Sequence, residues 1–438
     1  MTSVAIIGGG AAGMMCAATL VEEWYHGDIM LFDKNPWLGA KVIISGGGRC
    51  NVTTGITSIK ELKKHYVRGA DFLDTALRAY TPKGIYKRFE AHGVPLKIEK
   101  DMRVFPQSDD GKDIVRIFEK VFAQAENMRV CLGESVISIH NAQCTMNNGE
   151  GVGTPSWGVH DWWRFIITTD KGSYEVDAVV LTTGGNAYRH TGSTGDGYAF
   201  AQALGHSITT LWPSLNSFLV AEEWCKRLSG LSFPRARLVC DRGMALPDPD
   251  FLVWPFLFTH FGISGPVTFR LSSMIPYETM TAEQSVSIRC IIDADRDSHY
   301  RSQTIMTAIQ SSPKKSLKNI LSTLLPERFV IELLAYCQID VLLSGAQLSK
   351  AMRESLIDAL AKGMVLTLIQ RRPGDEFVTA GGVSTDEIDP ETMESRICLW
   401  LYFAGEIMDI DGVTGGYNLT SSWATGRLAG KNVGEKVK

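Results

Sequence analysis

The sequence predicts an α/β fold in which one nucleotide-binding domain with an antiparallel β-meander is interrupted by an insertion made of a β-barrel-like part and a helical part. Three observations predict it. A β-branched run enters a glycine loop and then a helix at the N-terminus, further glycine-rich segments recur near the C-terminus, and the chain between them has no such signature. At 438 residues, and about 150 residues per domain, two or three domains are expected. Hydrophobic residues make up 45% and charged residues 21%, a composition that builds a large core and excludes disorder, collagen and coiled coil. The formal charge of −4 gives no general attraction to phosphate backbones or anionic lipid, so neither nucleic acid nor membrane is an expected partner.

The first strand is Ser3-Val4-Ala5-Ile6-Ile7, suited to burial on both faces. It runs into Gly8-Gly9-Gly10-Ala11-Ala12-Gly13, and Met14, Ala17, Ala18 and Val21 then follow at helical spacing. The glycines fill the three positions of GxGxxG. Gly8 permits the tight turn, Gly10 removes a Cβ that would obstruct a pyrophosphate, and Gly13 lets helix and strand pack closely. A second strand, Asp28 to Phe32, ends at Asp33, where a carboxylate would take ribose hydroxyls and disfavour a 2′-phosphate. This Rossmann-like unit binds a dinucleotide, NAD or FAD, at the helix N-terminus.

Three more segments belong with it. Leu38 to Asn51 contains Ser45-Gly46-Gly47-Gly48-Arg49-Cys50-Asn51, a glycine loop that begins no amphipathic helix and suits backbone lying against a flat ligand. Asp177 to Gly185 reads as a buried strand ending in Thr183-Gly184-Gly185. Near the C-terminus, Leu401 to Glu406 and Asp411 to Asn418 precede a helix expected from about Leu419 to Gly430.

These four segments resemble the two-dinucleotide-binding-fold flavoproteins related to glutathione reductase. With Arg103-Val104-Phe105-Pro106, Thr191 to Tyr198, Phe258 to Pro266 and Gly415-Gly416-Tyr417-Asn418, the chain more narrowly resembles the aminoacetone-oxidase-like, or BaiN/YhiN-like, FAD-binding family from about Val4 to Gly430. The resemblance implies FAD held by Gly8, Gly10, Ala12 and Gly13 at the pyrophosphate and by Asp33 and Lys34 at the ribose. Lys41 and Ser45 through Asn51 would approach the flavin or its pyrophosphate, and Thr183 to Gly185 would line the adenosine side. Gly405 and Glu406 would meet the ribityl and phosphate region and Gly416 to Leu419 the pyrimidine edge of the ring, with Val136 and Gly415 also at the cofactor. A helix N-terminus there has an independent reason, since reduced flavin carries negative charge near N1 and O2.

Short strands between 128 and 181 form the expected antiparallel meander, with Trp157 and Trp162 in its long connection packed on their own hairpin. The insertion has its barrel-like part at 206–300 and its helical part at 301–372, where Leu317, Ile320, Leu321 and Leu324 form one stripe and Ala351, Met352, Leu356, Ile357 and Leu360 another. The flavin domain takes 1–205 and 373–438. The resemblance places substrate between insertion and flavin domain.

Nine scattered cysteines without a CxxC pair read as reduced thiols of a cytoplasmic protein, and no structural metal is expected. The apolar N-terminus has no basic flank and is broken by four glycines, which excludes a signal peptide or membrane span. Cys50 has no cysteine near it in sequence to form a redox disulfide. His260, in a loop shaped by Gly262, Gly265 and Pro266, is the candidate acid or base, and Arg49, Arg103 and His260 are candidate substrate contacts. The expected function is hydride transfer between flavin N5 and a small organic molecule. It takes the form of amine oxidation with O2 or NAD(P)H-driven reduction of a conjugated C=C, with NAD(P)H docking only transiently because a second GxGxxG is lacking. An RNA-modifying flavoprotein and a flavin-bound sensor without turnover are the alternatives.

Overall fold

The structure is a computed structural model that describes residues 2–23, 25–141, 165–240, 250–281, 283–294, 297–374 and 376–437. The chain divides into two units, Met1–Ser214 with Glu376–Lys438, and Leu215–Asp375.

The first unit is built on a five-stranded parallel sheet in the order Leu401–Phe403, Ala178–Leu181, Ser3–Ile7, Asp28–Asp33, Met128–Leu132. Val4, Ala5 and Ile6 are fully buried, as the apolar run requires of a central strand covered on both faces. The chain winds outward from the first strand through Asp28–Asp33 to Met128–Leu132, then returns to the other side of the first strand. The order therefore reverses between Ser3–Ile7 and Ala178–Leu181, and that switch point is where open α/β sheets bind ligands. Met128–Leu132 departs from the expected meander: it runs parallel to Asp28–Asp33 as the edge of the main sheet, leaving Val136–Asn141, Phe165–Thr169 and Ser173–Val176 as a three-stranded antiparallel sheet. Trp157 and Trp162 lie outside the described residues.

Two helices cross at their backbones. In the helix Tyr417–Val437, a Cβ on Gly426 would lie 2.3 Å from the Ala12 carbonyl oxygen and one on Gly430 would lie 2.6 Å from that of Cys16, while Gly434 faces Leu20. Positions 12, 16 and 20 of the helix Ala11–Glu22 thus oppose 426, 430 and 434, an i, i+4 ridge on each side. Trp423 on the C-terminal helix is fully buried, stacks on Phe118 at 5.6 Å and donates its indole N–H to the Val52 carbonyl at 2.9 Å.

The second unit is a closed barrel of six antiparallel strands in the order Phe218–Val220, Gly262–Ser264, Val253–Phe258, Ser232–Cys240, Val286–Ile292, Met364–Arg371. Between the last two, the chain forms the helices Ser298–Ser311, Leu317–Leu321, Glu327–Tyr336 and Lys350–Ala361. Met364–Arg371, which the sequence reading places in the helical part, closes the barrel; its buried Met364, Leu366 and Leu368 alternate with more exposed neighbours at the strand period of two. Leu324 falls beyond the end of its helix and is 42% exposed, so the predicted stripe is one residue shorter. Among the described residues no helix is long and apolar enough to cross a membrane. Among the described residues seven cysteines are free and buried, but Cys398 is disulfide-bonded, which departs from the expectation of reduced thiols throughout.

A polar staple joins three segments of the first unit. The buried His206 ring meets Glu387 at 3.1 Å through Nδ1 and the Ser395 hydroxyl at 2.7 Å through Nε2. Ser395 Oγ also accepts the N–H groups of Ile397 and Cys398, at 3.0 and 2.8 Å. Burial pushes the His206 imidazole below its ordinary value, with Glu387 opposing. Because the unfolded chain binds this proton near about pH 6.5 and the folded one resists it, the stabilisation is present above that pH and is lost as pH falls, at no more than about 1.4 kcal/mol per pH unit. Melting curves between about pH 7 and pH 5 should therefore fall more steeply for the wild type than for His206→Gln; parallel curves would show that His206 does not set the acid limb.

Candidate functional site

The glycine loop separates what the fold needs from what a ligand needs. A Cβ on Gly13 would lie 1.9 Å from the Gly8 carbonyl oxygen, and Gly8 itself has a φ of +110° with the Thr182 carbonyl 2.6 Å from its Cβ position, so neither tolerates a side chain. Around a Cβ on Gly10, by contrast, nothing lies within 4 Å, and its φ of −80° suits any residue. The protein leaves that space open at the helix N-terminus. Asp33 ends the second strand with Oδ2 accepting Gly9 N–H at 2.7 Å and Oδ1 accepting Asn35 N–H at 2.8 Å. Burial raises its carboxyl despite those bonds. Lys34 turns to Asp196 at 2.5 Å and to the Thr194 hydroxyl.

Ser45 ends a short helix, Ala40–Ile44, and Gly46, Gly47 and Gly48 follow in left-handed conformations with φ of 59°, 74° and 88°. Gly46 packs on Phe105, whereas Gly47 and Gly48 have no atom within 4 Å of a Cβ position. Cys50 is fully buried, and burial pushes its thiol up to about 12 against a hydrogen bond from Ser45, so it is neither thiolate nor exposed nucleophile. Arg49 lies over the Phe105 ring at 3.8 Å and pairs with Glu99 at 2.7 Å and Asp109 at 3.5 Å. Arg103 pairs with the same Glu99 at 3.1 Å and with Asp101 at 2.7 Å. Both arginines expected at a substrate anion are thus engaged in one ion network.

The other segments converge on the same edge of the sheet. Thr182 Oγ1 donates toward the Ile7 and Gly8 carbonyls, at 3.0 and 2.8 Å, tying the third segment to the first. The next hydroxyl, Thr183 Oγ1, is buried without a hydrogen-bond partner, and Gly184 turns with a φ of +73°. Gly185 passes the Thr379 hydroxyl and Glu406, 2.5 and 2.9 Å from its Cβ position. Glu406 pairs with Lys41 at 2.7 Å and accepts Thr379 N–H at 3.0 Å, while Gly405 packs on the Ala12 methyl. Gly416 lies against the Thr53 carbonyl and Asn51 Oδ1, 2.4 and 3.0 Å from its Cβ position, and Gly415 lies beneath the Tyr417 ring. Asn418 closes this turn through both its amide atoms to the backbone of Gly412, at 2.8 and 2.7 Å, with half-buried Leu419 following in the helix. Val136 begins the antiparallel sheet, half-buried opposite Thr169.

Three participants were not singled out from the sequence. Thr379 supports Gly185, Asn186 and Glu406; Thr425 accepts Gly405 N–H at 3.0 Å; and buried Asp411 holds Arg68 at 2.5 Å and Ser214 at 2.9 Å. Burial raises the Asp411 carboxyl, with Arg68 and Ser214 opposing. Thr425 lies on the expected helix and Asp411 begins the expected segment Asp411 to Asn418, whereas Thr379 had no sequence signal. His260 belongs to the other unit, exposed in the turn before Gly262–Ser264 with its ring edge-on to Phe261 at 5.1 Å.

The model of the HI0933-like protein Rossmann domain matches residues 2–432. The chain belongs to this HI0933-like family. Its members are FAD-dependent oxidoreductases, and the chain is an enzyme of that class. It is 26% identical over 437 residues to a 3-dehydro-bile acid delta(4,6)-reductase of Clostridium scindens, covering 100% of both chains. It is 29% identical over 427 residues to a ribosomal RNA dihydrouridine synthase of Haemophilus influenzae, with 96% of this chain and 95% of the relative covered; the Escherichia coli protein of that name is 28% identical over 424 residues, with the same coverage. In structure it is similar to a mutant form of the E. coli quinol fumarate reductase FrdA, with a TM-score of 0.50 at 15% identity over 100% of this chain and 71% of that one. This likeness agrees with the Rossmann-like α/β fold.

The family's cofactor fits these residues. The open space at Gly10, Gly47 and Gly48 and the partnerless hydroxyl of Thr183 are features that the protein's own packing does not use. Gly10→Val should therefore keep the wild-type melting temperature yet weaken FAD binding at least about tenfold, or about 1.4 kcal/mol. Gly13→Val should lower both, because its side chain would strike the Gly8 backbone. Fluorescence titration with FAD beside a thermal melt tests the pair, and a Gly10→Val protein that retains full FAD affinity would place the pyrophosphate elsewhere.

Proposed function

We propose that the protein binds FAD along Gly8–Gly13, Asp33, Ser45–Asn51, Thr183–Gly185, Gly405–Glu406 and Gly415–Leu419, and reduces a C=C bond conjugated to a carbonyl. The observation that carries this reading is the pair of relatives matched over essentially their whole lengths. Their names denote substrates of very different size, a bile acid and ribosomal RNA, yet both denote saturation of a ring C=C. What they share is the reaction, and that favours C=C reduction over amine oxidation with O2.

When bound, FAD supplies the hydride chemistry at its N5. The chain supplies position and charge. Bare backbone at Gly10, Gly47 and Gly48 admits phosphate and ring, Asp33 is pre-set by two N–H donors to receive ribose, and the Lys41–Glu406 pair fixes the approach from the C-terminal segment. The N-terminus of Tyr417–Val437 offers a positive dipole end to negative charge at the pyrimidine edge. Cys50, buried and protonated, takes no part in thiol chemistry. His260, exposed on its barrel turn, is the proposed donor of the proton that accompanies hydride, and a nicotinamide docks transiently as reductant.

A second reading is favoured by the two ribosomal RNA relatives: the conjugated system is a pyrimidine base within RNA. A net charge of −4 averages over the whole surface and does not exclude a local RNA contact, so the charge argument against nucleic acid no longer stands. Anaerobic mixing with NADH or NADPH, followed by cyclic enones or by rRNA lacking the modification, separates the two. Reoxidation of the bleached flavin by enones supports the small-molecule reading. Reoxidation by RNA alone, with dihydrouridine formed, supports the second, and inertness toward both would sink the C=C assignment. His260→Gln should lower kcat by about 10²-fold, the scale of a lost general acid.

A further inference from the structure

We propose that neutral His206 is a positioning residue for the cofactor segment at Gly405 and Glu406, and that protonation of its ring unlatches that segment and hastens the release of FAD. This rests on the FAD reading above. What carries it is the hydrogen-bond count at Ser395. A hydroxyl accepts two hydrogen bonds and donates one. Ser395 Oγ already accepts the N–H groups of Ile397 and Cys398, at 3.0 and 2.8 Å, so its own proton goes to His206 Nε2 at 2.7 Å. Nε2 is therefore an acceptor, and the ring is held as the neutral tautomer whose Nδ1–H donates to Glu387 Oε2 at 3.1 Å. The N–H of Ser207 donates to the same oxygen at 2.9 Å. A proton added at Nε2 sets donor against donor. Ser395 can accept it only by giving up one of the two N–H groups in the turn that follows.

Backbone hydrogen bonds carry this latch to the cofactor segment. Ser384 donates its N–H to the Ser207 carbonyl at 3.0 Å, and Thr209 donates to the Gly382 carbonyl at 2.8 Å. Val383, between them, bridges Ile208 on one side and Met408 on the other. It donates to the Ile407 carbonyl and accepts Asp409 N–H, both at 2.9 Å. Glu406, which pairs with Lys41, directly precedes Ile407. From its other side, Ser395 donates its N–H to the Leu401 carbonyl at 2.7 Å and so holds the strand Leu401–Phe403, which leads into Gly405. The His206 ring meets Phe403 of that strand edge-on at 4.7 Å.

Glu387 is the charge in contact with the ring. Asp386 stands beside it in the turn Thr385–Glu387, Glu394 is turned to Lys436 at 2.6 Å, and Arg396 donates through Nε to the Ile388 carbonyl at 3.3 Å. The strand Leu401–Phe403 brings only the Tyr402 phenol, which burial keeps protonated. Burial holds the imidazole below its ordinary value, with Glu387 opposing. Once released, the ring regains a value of about 6.5, so lowering the pH from about 7.5 to about 5.5 shifts the latch toward its open form by up to about tenfold. The stabilisation is present on the alkaline side and is lost as pH falls.

FAD-loaded wild type, His206→Gln and Ser395→Ala are diluted at about pH 7.5 and about pH 5.5, and release is followed by flavin fluorescence. Hydrogen exchange over residues 394–402, corrected for the intrinsic pH dependence of exchange, is measured on the same samples. Gln offers a donor to Glu387 and an acceptor to Ser395 but does not titrate; Ala removes the acceptor of both N–H groups. In the wild type, the release rate and the corrected exchange should both rise about tenfold at the acid pH, whereas His206→Gln should change by less than about twofold. Ser395→Ala should release FAD rapidly at both pH values. Equal acceleration of wild type and His206→Gln overturns the proposal, and so does a tenfold pH response that survives in Ser395→Ala, which decides the matter if the Gln variant fails to fold. Exchange that does not respond to pH in FAD-loaded wild type removes the latch and leaves the FAD reading intact. Exchange that responds while release does not breaks the coupling to the cofactor segment. A wild type that binds no FAD at the alkaline pH overturns the FAD reading itself, and this inference with it.

Discussion

The first unit depends on backbones approaching where side chains would forbid it. The helix Ala11–Glu22 is pinned at Gly13 to the loop it leaves and along Ala12, Cys16 and Leu20 to the glycine ridge of Tyr417–Val437. Those contacts are main chain to main chain, so they cannot be relieved by a rotamer change. They bring segments from both ends of the 438-residue chain together in the first unit, where several of the proposed cofactor segments meet. Gly405 settles on Ala12, Glu406 reaches Lys41, and Gly416 settles on Thr53. The insertion can lengthen the path between the ends without disturbing the site, because the crossing of the two helices, not the intervening chain, sets their separation.

Within that frame two kinds of glycine have separable meanings. Gly8, Gly13, Gly185 and Gly416 are demanded by neighbours that would clash with a Cβ; Gly47 and Gly48 have room for one but are held at left-handed φ of +74° and +88°, whereas Gly10 has both the space and a φ of −80° that any residue adopts. GxGxxG suggests separate jobs for Gly8, Gly10 and Gly13, but a run of three glycines such as Gly46-Gly47-Gly48 is equally compatible with tight packing or with a ligand. The distinction emerges only when the surrounding atoms are in place. It also separates the acids: half-buried Asp33 is oriented by two N–H donors, while the more deeply buried Asp411 is committed to Arg68 and Ser214.

What was legible in the sequence was periodic or contiguous. The first two strands, the glycine loop and the C-terminal helix were each carried by adjacent residues, and a buried parallel strand has few ways to disguise an apolar run. The assignments that slipped were those decided by partners distant in sequence. Met128–Leu132 has the composition of either a meander strand or a sheet edge, and only pairing with Asp28–Asp33 chooses. Met364–Arg371 follows four helices and reads as their continuation until it closes the barrel against Phe218–Val220 and Val286–Ile292. Thr379 carries no local signal at all, because it acquires its role from Asn186 and Glu406, both distant in the chain.

The same logic bears on why one scaffold serves relatives whose named substrates differ as much as a bile acid and ribosomal RNA. The cofactor half is over-determined by backbone contacts that leave little freedom for change, since nearly any side chain introduced at Gly13 or Gly416 would strike main chain. The inserted barrel has such contacts too, as where Gly262 meets the Phe218 carbonyl 2.3 Å from its Cβ position, but its strands alternate buried and more exposed positions, and the exposed ones can vary at less cost to the core. Chemistry would then be conserved by packing and substrate choice left to a surface that packing does not police. Function on such a fold is read from the chemistry of individual sites and not from the architecture that relatives share.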